Sequence, residues 1–137
     1  MSAQKPLELI LARNLLSSIS TPALLLSENG VLLFYNEAAG ALLGRRFEEA
    51  GVMSAEDWTR EFGPFDRDER PIAHERNPAT LAVRENRPYH GNFRIRVAGG
   101  NHQDVAASTI PIVGPGGSSG AIVIFWPVSA GKESARE

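Results

Sequence analysis

Apolar residues recur with a helical period at the start of this chain and with a strand period towards its end. In "PLELILARNLLSSIS", residues 6–20, Pro6 suits the first position of a helix. Winding the segment at ~100° per residue places Leu7, Leu9, Leu11, Ala12, Leu15, Leu16 and Ile19 on roughly half of the circumference. Arg13, Asn14, Ser17 and Ile10 occupy the remainder. An arc this wide can cover one sheet face and still meet a second surface. Two readings stand: a helix packed on its own domain, or one that also forms a dimer contact through Leu9, Leu11, Leu15, Leu16 and Ile19.

Pro22 ends that helix, and "ALLLS" and "VLLFY" then flank an Asn29-Gly30 dipeptide. Asn-Gly suits the positive φ angles of a type I′ turn and predicts a β-hairpin. The second strand runs into Asn36, whose amide oxygen can cap a short helix of Ala38, Ala39, Leu42 and Leu43 that Gly44 stops. Residues 45–76 are the least regular, with a helix start at "SAEDW", Ser54 as its cap and Asp57 at the capping-box position. "NPATLAVRENRP" is a helix with Asn77 as cap, Pro78 at its first position, and Asn86 and Pro88 as terminators.

Three strands follow. "YHGNFRIRV" alternates, with Tyr89, Gly91, Phe93, Ile95 and Val97 on one face and His90, Asn92, Arg94 and Arg96 on the other. "QDVAASTIPIV" is apolar or small on both faces, "GPGGSSG" reads as a flexible loop, and "AIVIFWPV" is apolar on both faces and needs cover on each side. This order predicts an α+β domain: a five-stranded antiparallel sheet with short helices on one face and the N-terminal helix on the other. The expected divisions are the helix at 1–20, the sheet domain at 21–129 and a polar tail at 130–137.

The chain has 137 residues, with 42% hydrophobic, 22% charged and a formal net charge of −2, which suits a single soluble domain and offers no basic field for nucleic acid. It has no cysteine, which removes disulfides, thiolate metal sites and cysteine nucleophiles and fits a cytoplasmic location. No apolar run approaches the ~20 residues of a membrane span. "DRDER" lacks the central glycine and distal glutamate of a calcium loop.

Three segments, in order, resemble the PAS family of sensor modules over residues 18–129. They are "TPALLLSENGVLLFYNEAAGALLG", "NPATLAVRENRPYHGNFRI" and "GGNHQDVAASTIPIVGPGGSSGAIVIF". The resemblance implies a cavity between the sheet and the middle helices, with Phe93, Ile95, Val105, Ala107, Thr109, Val123 and Phe125 pointing inward and Leu32, Phe34 and Leu81 joining them. Ile122, Ile124 and Trp126 would face outward, towards the N-terminal helix or a partner chain. Many PAS domains end in Asp-Ile-Thr at the output junction; here Pro127, Val128 and Ser129 stand there, which departs from the pattern at the carboxylate.

The same resemblance bears on cofactors. LOV members use a cysteine for their flavin adduct, and the flavin-contacting positions fall here on Ile95, Val105 and Phe125, so flavin is not expected. Haem would need an axial ligand, and His74, His90 and His102 lie before a helix, on the polar strand face and in a turn. The expected function is a non-catalytic, homodimeric sensory or interaction module, with a small apolar ligand in the cavity and an effector outside this chain. The alternatives are a small α+β enzyme with an acid/base residue in an apolar pocket, and a dimerisation scaffold without ligand.

Overall fold

A computed structural model describes residues 7–128, without the side chains of His74 and Ser118; the tail expected at 130–137, Pro6 and Ser129 lie outside the described residues. Helix α1 (Leu7–Ser18) precedes strands β1 (Ala23–Ser27) and β2 (Leu32–Tyr35). Three short helices follow, α2 (Glu37–Leu43), α3 (Phe47–Ala50) and α4 (Ala55–Phe62), then α5 (Pro78–Glu85). Strands β3 (Tyr89–Arg96), β4 (His102–Gly114) and β5 (Gly117–Pro127) complete the chain, and the antiparallel sheet runs in the order β2-β1-β5-β4-β3. No described helix is long and apolar enough to cross a membrane.

Alternation along the strands gives the sheet two apolar faces, and each has its own cover. The inner face carries Val105, Ala107 and Phe125 against Ala39 and Leu43 of α2, Trp58 and Phe62 of α4, and Ala79 of α5. The outer face carries Ala23, Leu25 and Phe34 under Leu9, Ala12 and Leu16 of α1. Buried Tyr35 ties the inner helices together: its hydroxyl donates to the Arg45 carbonyl at 2.6 Å, and burial pushes the phenol above its ordinary pKa.

Asn36 is the joint between the two layers. Its Oδ1 accepts from Ala39 N at 3.0 Å, capping α2, and from Ala23 N at 3.1 Å, at the start of β1. Its Nδ2 donates to the carbonyls of Leu16 at 3.0 Å and Thr21 at 2.9 Å, where α1 ends. A strand ends on asparagine here because one side chain satisfies a helix start, a strand start and a helix end at once.

Three local expectations are corrected. Asn29 keeps a negative φ and only Gly30, at +83°, is left-handed, so the hairpin is no type I′ turn. Instead Gly30 N donates to Ser27 O at 3.0 Å and the Ser27 Oγ accepts from Asn29 N and Val31 N, a type I turn closed by a left-handed glycine. "GPGGSSG" is no loop either: β4 and β5 stay paired out to Gly114 opposite Gly117, leaving Pro115 and Gly116 as the turn. Gly and Ser disfavour strands by themselves, but a long ladder already in register carries them along. Finally, Ser54 caps α4 through Asp57 N, while the Asp57 carboxylate turns to Arg60 at 3.3 Å instead of closing a capping box.

Candidate functional site

Between the inner sheet face and α2, α4 and α5 lies an almost wholly apolar cavity of about 70 Å³. Strands β3, β4 and β5 place Phe93, Ile95, Val105, Ala107, Thr109, Val123 and Phe125 on it, as alternation requires, and Leu32 joins them from β2. Two expected lining residues are elsewhere. Phe34 packs in the outer cluster under α1, with the Arg13 guanidinium 4.5 Å above its ring centroid. The cause is a bulge between Leu25 and Leu26, which pair with Phe34 and Leu32 and skip Leu33; the extra residue flips the parity of β2. Leu81 is half-buried and absent from the cavity lining, because the buried face of α5 is that of Ala79 and Ala82.

Sequence reasoning missed Leu24, Leu43, Trp58, Phe62, Pro64, Asn77, Pro78 and Ala79, which complete the lining. Trp58 and Phe62, four apart on α4, carried a legible helical-face signal. Pro64 carried none. It arrives through a loop that pairs with the edge of β3, where Phe65 N donates to Arg94 O at 2.8 Å. Arg94 holds that loop between Asp104 at 3.0 Å and Glu69 at 3.6 Å, and His102 stacks on Phe65 with its Nδ1 3.1 Å from Glu69.

The cavity lining carries no ionisable side chain among the described residues. Asp104 is on the outward face with Arg94, and Asp66 accepts from Asp68 N and Arg70 N in the loop, bonds that hold its carboxyl below the usual range, the Arg70 contact foremost. His90 meets Ser108 Oγ at 2.8 Å on an exposed strand face. The side chain of His74 lies outside the description.

Of the residues expected at a helix or dimer contact, Leu9 and Leu16 are buried in the outer cluster, and Ile19, Ile122 and Ile124 pack partly buried against it. Leu11 and Leu15 do not pack inward: they are 57% and 60% exposed, in line with Leu7 at 65%, while Trp126 is 42% exposed on the outer sheet face. The wide apolar arc is thus divided, with Leu9, Ala12 and Leu16 spent on the sheet and a leucine stripe left outward.

This arrangement defines a class: a helix-capped five-stranded antiparallel sheet with a cavity beneath its inner face. It is the PAS fold. A PAS domain from Colwellia psychrerythraea superposes with a TM-score of 0.66 at 16% identity, over 88% of this chain and 98% of that one. The PAS domain of BvgS from Bordetella pertussis gives 0.59 at 19%, over 94% and 92%. VqmA bound to DPO gives 0.62 at 15%, over 87% of this chain but 57% of that one. No family model and no curated protein sequence matches the chain.

Proposed function

We propose that this chain is a non-catalytic, cytoplasmic PAS sensory module that works as a homodimer and takes a small molecule into the cavity beneath its sheet. The observation that carries the reading is the pairing of an apolar cavity on the inner face with a surplus leucine stripe on the helix that covers the outer face. The two surfaces sit on opposite sides of the same strands, so a ligand that shifts the inner packing shifts the bed on which α1 lies. A cavity of this size suits a compact molecule; a flavin or haem would have to displace core residues. The lack of ionisable groups on the described lining supports binding over acid/base chemistry.

Native mass spectrometry beside a denatured spectrum and a UV–visible scan tests this reading. A dimer with a releasable small adduct is the expected result. A bare dimer would turn the reading towards a scaffold, and a bare monomer would overturn the relay. The double substitution Leu11→Glu with Leu15→Glu is expected to convert the dimer to monomer, with an unchanged far-UV circular dichroism spectrum because both side chains are already exposed. A dimer that survives it would place the contact elsewhere.

A further inference from the structure

We infer that Phe47 is a coupling joint: it links α4 to α1 around the free edge of β2, by a route that does not pass through the sheet. The inference goes beyond the reading above and stands whether or not the cavity takes a ligand.

β2 is an edge strand, and its consecutive residues Phe34 and Tyr35 point to opposite faces. Phe34 is buried in the outer cluster beneath α1, and Tyr35 in the inner cluster with α4. A side chain that touches both must therefore pass around the edge of the strand. Phe47 does this. Its ring centroid lies 5.4 Å from that of Phe34 and 5.5 Å from that of Tyr35, edge-on to each. Among the described residues it is the one partly buried side chain packed against both clusters.

Each end of this row of rings reaches a helix. On the outer side the Arg13 guanidinium of α1 stands 4.5 Å from the Phe34 centroid and 5.8 Å from the Phe47 centroid. On the inner side the Tyr35 ring meets Phe62 of α4 edge-on at 6.3 Å. A polar link runs alongside: the Tyr35 hydroxyl donates to the Arg45 carbonyl, two residues before Phe47, and the Arg45 guanidinium pairs with Glu61 of α4.

Helix α3 has four residues and fully buries none of them, so its own packing does not account for its position. Covering the apolar edge of β2 would need no more than a leucine. Rings locked edge-on do more, because a close-packed row passes a displacement of one member to the next. A shift of α4 that moves Phe62 thus moves Tyr35, Phe47 and the seat of Arg13.

A double-mutant cycle across the joint tests it, read as unfolding equilibrium constants from urea titration. Arg13→Ala and Phe62→Leu alter its two ends, and these residues share no described contact with each other. In the parent chain the double variant is expected to depart roughly fivefold from the product of the single effects. In a Phe47→Leu background, which keeps the edge covered, the departure should shrink to within about twofold. Arg13→Ala with Trp58→Phe is the control, since Trp58 is on α4 but makes none of the described ring contacts. That pair should obey the product rule in both backgrounds. Additivity of the first pair in the parent overturns the joint, and so does a departure that survives Phe47→Leu or appears equally with Trp58→Phe. A second readout needs no triple variant. The NMR signal of the Arg13 Nε–H, displaced by the rings beneath it, is expected to move on Phe62→Leu in the parent and to stay in place in Phe47→Leu. A signal unmoved in the parent, or moved equally in both, overturns the joint as well.

Discussion

Asn36→Ala is expected to destabilise the fold by about 3–5 kcal/mol, enough to bring a small domain near its unfolding midpoint. The substitution leaves Ala39 N, Ala23 N and the Leu16 and Thr21 carbonyls without their shared partner, in a site where Asn36 itself is 2% exposed. Each buried group left unpaired costs roughly 1–3 kcal/mol, with some relief from water at the more open Thr21 end. Urea unfolding followed by circular dichroism checks the figure; a loss below about 1 kcal/mol would show that the joint is redundant. Asn36→Asp separates its halves. It keeps the two acceptor bonds and turns charge against two carbonyls, so α1 should lose amide-exchange protection before the sheet does.

Gly120→Ala is expected to cost about 2–4 kcal/mol. Gly120 lies in β5 between Ser27 of β1 and Ile112 of β4, at a φ of +155°, and an added Cβ would land on the backbone carbonyl of Leu26. Nothing flexible lies there to give way. The β1–β5 ladder must open, which disturbs the outer bed of α1 and the inner cavity wall together. Gly116→Ala in the nearby turn is the control: an added Cβ meets nothing within 4 Å, so its effect should stay within about 0.5 kcal/mol. Equal urea midpoints for the two variants would contradict the account.

Much of the cavity was legible because strands in pairs obey a simple parity. Phe93, Ile95, Val105, Ala107, Thr109, Val123 and Phe125 share a face by alternation alone, once their strands are placed in one sheet. Capping was legible for the same local reason, since Asn36, Ser54 and Asn77 each announce a helix start within three residues of themselves. What Asn36 does beyond capping was not legible, because its other partners, Leu16 and Thr21, belong to the preceding helix end and linker.

The sequence by itself determined the order of helices and strands, the alternation of each strand and the presence of a helix with more apolar surface than one sheet face needs. Those are properties of neighbours along the chain, set by sterics and periodicity within a few residues. Tertiary structure decided the rest. The bulge at Leu33 sent Phe34 outward, where Arg13 covers its ring, and no local preference encodes which residue a pairing strand will skip. The roll of α1 chose Leu9, Ala12 and Leu16 for the sheet and left Leu7, Leu11 and Leu15 outward. A helix with so broad an apolar arc can bury several stripes at similar cost, so the choice falls to the shape of the surface it meets.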